Sequence, residues 1–183
     1  MMAADKVDHI LRAAGAHTGQ KHFVLIGSAA IFAWRREVPD GMAMTREVDL
    51  FAYDVPPDEA DRVAVELDGM LGVQSQFDAT YGYYCDGVGP ETAILPTDWL
   101  TRAKSYTSAN TDGVIATAPH PSDIAAAKLC AGREKDIAWL RVALAHEIVA
   151  LDDLLLRLAS LPLDRIGDRL PILLRQAELL ARK

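Results

Sequence analysis

The sequence predicts an α/β (α+β) protein: a mixed β-sheet of four to five strands flanked by helices, with a C-terminal helical extension. Three observations predict it. Short β-prone runs are interleaved with stretches of helical periodicity rather than grouped together. Gly and Pro punctuation separates most runs from the next. From about residue 145 onward the chain is leucine-rich at helical spacing and offers no further strand. The expected organisation is a strand-containing domain over 1–144 and a helical extension over 145–183 packed on the same core.

The elements are read in order. An amphipathic helix is expected over 5–16, a strand over 23–26 (FVLI), and a helix from 28 to about 36 behind Gly27-Ser28. Val38-Pro39-Asp40-Gly41 breaks that helix, and 45–53 reads as the second strand. Pro56-Pro57-Asp58 starts a helix to about residue 71, with Ala60, Val63, Ala64 and Leu67 along one stripe. Residues 77–84 are aromatic and β-prone, and Gly87-Val88-Gly89-Pro90 closes them. Residues 92–95 and 114–117 read as short strands before Pro96 and Pro119. Ser122 or Asp123 is expected to cap a helix over 124–131, with Gly132 at its end. A further helix covers 135–144, and the leucine-rich remainder is broken at Pro162 and Pro171.

Composition narrows the function classes. Half of the 183 residues are apolar and a quarter charged, ordinary for a soluble globular domain able to bury a proper core. No apolar run approaches a membrane span, and the N-terminus lacks a signal-peptide layout, so no membrane role and a cytoplasmic location are expected. Cys85 and Cys130 have no metal-ligand spacing, and the five histidines are scattered, which argues against zinc and against a nucleophile triad. A net charge of −7 argues against a large nonspecific nucleic-acid footprint. The stretch from Leu155 to the end nevertheless carries about +3.

The chemistry-bearing residues fall in two places. In VLIGSAAIFAWRREVPDGMAMTREVDLFAYD, an apolar strand enters Gly27-Ser28, and a second strand carries Glu47-Val48-Asp49. Strand alternation puts Glu47 and Asp49 on one face, about 7 Å apart, and sends Val48 and Leu50 to the other. Paired carboxylates repel unless a divalent cation or a basic partner meets them. The Gly27-Ser28 turn offers backbone N–H groups to an anion. Together these suit phosphoryl or nucleotidyl transfer. In PSDIAAAKLCAGREKDIAWL, Lys128 stands among small residues, and Arg133, Lys135 and Asp136 follow a glycine corner. The three cations are expected to gather around a triphosphate, with Asp136 orienting a lysine or capping the next helix. On that reading Lys128 is removable at little cost in folding. Tyr81, Tyr83 and Tyr84 are candidates to stack on a base, two of them at most.

IGSAAI…TREVDLF, YGYYCDGVGPETAILPTDW and PSDIAAAKLCAGREKDIAWL together resemble nucleotidyltransferase-like proteins of the DNA-polymerase-β-like superfamily. That branch is distantly similar to the AbiEii-type and MenT-type toxin nucleotidyltransferases of bacterial toxin–antitoxin pairs, and the resemblance covers roughly 23–144. It implies that Gly27 and Ser28 form the phosphate-binding turn, and that Glu47 and Asp49 hold Mg²⁺ (or Mn²⁺). It implies that Lys128 and Asp136 complete the catalytic set, with Lys128 and Arg133 on the nucleotide. Glu47 stands where the family has its first aspartate, which adds a methylene to the reach. Asp78, Asp86 and Glu91 all remain open as the third carboxylate. The implied function is Mg-dependent transfer of a nucleotide from an NTP to an RNA or protein acceptor, as the toxin of a pair with an antitoxin protein. A catalytically degenerate nucleotide-binding or protein-interaction module of the same fold is the alternative; a helical interaction protein using the leucine-rich tail is a third.

Overall fold

The structure, a computed structural model, describes residues 1–182. Its sheet has five strands: β1 (His22–Ile26), β2 (Glu47–Ala52), β3 (Tyr84–Gly87), β4 (Lys104–Tyr106) and β5 (Ile115–Ala118). Their spatial order is β3-β2-β1-β5-β4, antiparallel at β1–β2 and β4–β5 and parallel at β1–β5 and β2–β3. The expected mixed α/β architecture is therefore what the chain adopts.

Nine α-helices surround the sheet among the described residues: α1 (Ala4–Thr18), α2 (Pro57–Leu71), α3 (Gln76–Tyr81), α4 (Trp99–Arg102), α5 (Pro121–Ala131), α6 (Glu134–Ala145), α7 (Leu151–Ala159), α8 (Leu163–Ile166) and α9 (Leu170–Ala181). Helix α2 lies against β2 and β3 and packs on α1. Helices α5, α6, α7 and α9 pack on one another, and their apolar faces join the same buried cluster as the strands. The strand β2 alternates as its sequence dictates, with Val48 and Leu50 fully buried and Glu47 and Asp49 on the opposite face.

Five local expectations are corrected. Residues Ser28–Ala33 wind as a 3₁₀ helix, shorter than the α-helix expected to about residue 36. Ala29 through Ala33 are buried on every side, so packing rather than an amphipathic stripe sets the winding. The aromatic run 77–84 is mostly α3, because Ser75 caps it (its hydroxyl accepts from Asp78 N–H) and Gly82 ends it left-handed; only Tyr84 enters β3. Residues 92–95 form no strand; the fifth strand is instead the three-residue edge β4. Helix α5 is capped by His120 with Pro121 in its first turn, rather than by Ser122 or Asp123. Pro171, expected to break a helix, sits in the first turn of α9, where its missing N–H costs nothing.

Candidate functional site

Of the residues singled out from the two motifs, Gly27, Glu47, Asp49, Lys128, Arg133 and Lys135 line one cleft of about 340 Å³, whereas Ser28 and Asp136 are outside its lining and are hydrogen-bonded to Lys128. The cleft's charged wall carries Glu47, Asp49, Asp86, Lys128, Arg133 and Lys135, beside Gly27. Its apolar wall includes Ile94, Leu95, Ile124 and Ala127.

The acidic side is built by strand register. Parallel pairing of β2 with β3 sets Asp49 directly beside Asp86 and Glu47 beside Tyr84. Of the three carboxylates left open by the sequence, Asp86 is therefore the one that joins Glu47 and Asp49. Asp78 is instead paired with Arg46 and accepts the Gln74 backbone N–H, and it is absent from the cleft lining. Glu91 is absent from the cleft lining. Asp49 is largely enclosed, and its pKa is pushed up to about 7, first by burial and then by the charges of Glu47 and Asp86. The Asp86 carboxyl is raised as well, by burial and by Asp68 and Glu47. Gly27, at φ +70°, sits so close that a Cβ there would lie 1.9 Å from Asp49 Oδ2. Only glycine meets both the backbone and the approach.

The basic side is built by a helix corner. Gly132 ends α5 in the left-handed region, turning the chain so that the first turn of α6 faces the last turn of α5. Lys128 Nζ donates to Ser28 Oγ at 2.7 Å and to Asp136 Oδ1 at 2.9 Å. Arg133 Nε donates to Asp136 Oδ2 at 2.6 Å. Lys128 is 5% and Asp136 0% exposed. Burial lowers the Lys128 pKa, with Asp136 acting against it. For Asp136, burial pushes upward, but the Arg133 and Lys128 hydrogen bonds outweigh it and hold the carboxyl below its usual range. This corrects the expectation that Lys128 is dispensable for folding: it is half of a buried ion pair. Lys135, in the first turn of α6, donates to Glu47 Oε1 at 2.6 Å, and the Tyr84 hydroxyl donates to Glu47 Oε2 at 3.2 Å.

The chain matches over residues 5–160 the family described as a nucleotidyltransferase of unknown function (DUF6036). It belongs to that family. Nothing among the curated proteins or the solved structures matches it. Membership in a nucleotidyltransferase family implies an NTP as substrate and nucleotidyl transfer as the general reaction. Among the described residues, no helix is long and apolar enough to cross a membrane.

The tyrosines expected to stack on a base do not line this cleft. Tyr81 and Tyr83 cluster with His9 and Phe77, the Tyr83 hydroxyl lying 2.7 Å from His9 Nδ1. Tyr84 reaches only the back of Glu47. Among the described residues, no three His, Cys, Asp or Glu converge into a ready-made cage. Mg²⁺, however, is commonly held by one or two carboxylates with substrate phosphates and water completing the octahedron. Asp49, destabilised as an anion by two neighbouring carboxylates and pressed against a glycine, is a donor that a divalent cation would relieve. The residues fit the ion.

Proposed function

We propose that this chain is a Mg²⁺- or Mn²⁺-dependent nucleotidyltransferase that moves a nucleotide from an NTP to an RNA or protein acceptor. The observation that carries it is the shared cleft, in which three carboxylates from adjacent strands face Lys128, Arg133 and Lys135 across the Gly27-Ser28 turn. Glu47 and Asp49 would hold the cation, with Asp86 beside Asp49 adding negative charge, and when bound it supplies charge neutralisation at the phosphates and at the attacking and leaving oxygens. Lys128, locked between Ser28 and Asp136, presents a fixed positive charge beside the turn, and Arg133 and Lys135 offer more mobile ones. The apolar wall of Ile94, Leu95 and Ile124 suits the base and excludes water from that side of the nucleotide. At pH near 7, an uncomplexed Asp49 is partly protonated, and engaging the cation requires it to release that proton.

The resemblance to AbiEii-type and MenT-type toxins supports a toxin–antitoxin role with an antitoxin protein as partner. A second reading, a nucleotide-binding module that no longer turns over, is favoured by Glu47, both of whose oxygens are already engaged by Lys135 and Tyr84. Calorimetry with Mn²⁺ and a non-hydrolysable NTP, on the wild type and Asp49→Asn, tests the site: binding is expected to need both the ion and Asp49. Incorporation of labelled NTP into RNA or protein separates the enzyme from the module. Equal nucleotide binding in EDTA would rule out the carboxylate metal site.

A further inference from the structure

The two lysines of the cleft are held in opposite ways. Lys128 is buried and fixed by Ser28 and Asp136. The Lys135 side chain is 54% exposed, and its one ion-pair partner among the described residues is Glu47. Lys135 also borders a second cavity, of about 430 Å³, lined by Met42, Thr45, Trp139 and Val142, which gives its four-carbon stem room to swing. With Lys135 on one oxygen and Tyr84 on the other, Glu47 is the satisfied member of the three carboxylates. Among the described residues, no side-chain hydrogen-bond partner steadies Asp49 or Asp86. An ion pair this exposed contributes little and is readily exchanged. A divalent cation brings twice the charge to the same oxygens.

We propose that Lys135 is the site's own counter-cation: its ammonium holds Glu47 while the carboxylates lack a metal, yields Glu47 to the incoming ion, and then turns to the triphosphate. This rests on the metal-and-nucleotide reading above. Its consequence is a pair of effects with opposite signs. Removing the Lys135 charge deletes a competitor for Glu47 and so tightens metal binding in the absence of nucleotide. The same change removes a phosphate partner and so weakens nucleotide binding once metal is present. A lysine that only supports the fold would shift both in one direction or neither.

The test titrates Mn²⁺ alone, then a non-hydrolysable NTP at saturating Mn²⁺, into the wild type, Lys135→Met, Lys135→Arg and Asp49→Asn. Lys135→Met is expected to bind Mn²⁺ about two- to fivefold more tightly and the nucleotide about tenfold more weakly. Lys135→Arg should stay near the wild type in both. The thermal midpoint of Lys135→Met should move little, since the side chain is exposed. Unchanged or weaker Mn²⁺ affinity in Lys135→Met, with Asp49-dependent binding intact in the wild type, overturns the counter-cation while leaving the metal site standing. A wild type that binds no Mn²⁺ through Asp49, with or without nucleotide, sinks the metal-and-nucleotide reading and this inference with it.

Discussion

Asp49 lines the cleft and Asp136 is bonded to the cleft's Lys128, and their surroundings treat the two carboxylates oppositely. Asp136 is fully buried and accepts from Lys128 and Arg133, so its charge is matched and its pKa falls. Asp49 faces two further carboxylates, accepts no hydrogen bond among the described residues, and has its pKa raised to about 7. The difference teaches what each is for. A carboxylate satisfied from within the chain holds helices together; one left unsatisfied has its free energy reserved for something the chain does not contain. Asp136 keeps α5 and α6 at a fixed corner, and that corner keeps Lys128 on Ser28. On the proposed reading, Asp49 is the carboxylate that a bound cation would relieve.

The strongest way to break this contrast is to neutralise Asp136. Asp136→Asn leaves Lys128 buried without its anion, and should cost about 3–5 kcal/mol, a drop in thermal midpoint of about 10 °C or more. A midpoint within a degree or two of the wild type would show that Asp136 is not the structural member of the pair. The native pair also predicts acid sensitivity. A carboxyl with a depressed folded pKa contributes stability above the ordinary carboxylate range and loses it as pH falls through the depressed value.

Asp49→Asn should move stability the other way. The folded pKa, about 7, lies above the ordinary 3.8. Between those values the folded chain keeps a proton that the unfolded chain has released, so stability falls as pH rises through that window and stays reduced above it. Removing the charge should stabilise the metal-free protein by about 2–4 kcal/mol at pH 8 and flatten the slope of stability between about pH 4 and 7. Denaturant melts at several pH values check both. A gain in stability accompanied by lost metal binding is the signature expected of a functional residue.

How much of this was legible in the sequence depends on how local each signal is. The alternation in Glu47-Val48-Asp49-Leu50 requires only strand geometry, and the buried Val48 and Leu50 follow it. Gly132 announced the corner between α5 and α6. Asp86 could not be chosen over Asp78 or Glu91, because its place beside Asp49 is set by the parallel pairing of β2 and β3 across the α2–α3 connection. That pairing leaves no trace within any short window. The run 77–84 misled because aromatic β-propensity reports fit to a half-buried surface, and His9 on α1 supplies such a surface to a helix equally well. The edge strand β4 has three residues and nothing in its composition to mark it. The tyrosine hypothesis failed with the helix: once Tyr81 lies on α3 rather than a strand, it no longer shares a face with Tyr83 toward the cleft.

Metal provides a smaller but cleaner comparison. A ligand that binds only the folded state at tenfold its Kd adds about 1.4 kcal/mol. Mn²⁺ at that concentration should raise the thermal midpoint of the wild type by a few degrees and leave Asp49→Asn unmoved. It should also leave the acid-side behaviour owed to Asp136 unchanged, since that carboxyl is already occupied. A Mn²⁺ effect that survives Asp49→Asn would locate the ion elsewhere.

The smallest expected effect asks why Asp49 is raised at all. Burial is the largest cause, followed by Glu47 and then Asp86. Carboxyl carbon shifts followed by NMR across pH should therefore show Asp49 titrating lower in Glu47→Gln than in Asp86→Asn, and lower in both than in the wild type. Neither variant should return it to 3.8, because neither admits water to the Gly27 side of the carboxylate. Glu47→Gln carries a second change, since it also loses the Lys135 contact and frees that ammonium to approach Asp49. That movement acts in the same direction, which is why the larger fall is assigned to Glu47. If a single substitution restored an ordinary value, repulsion rather than enclosure would be the cause. Asp49 and Asp136 would then differ only in their neighbours' charges, not in how the fold has walled them in.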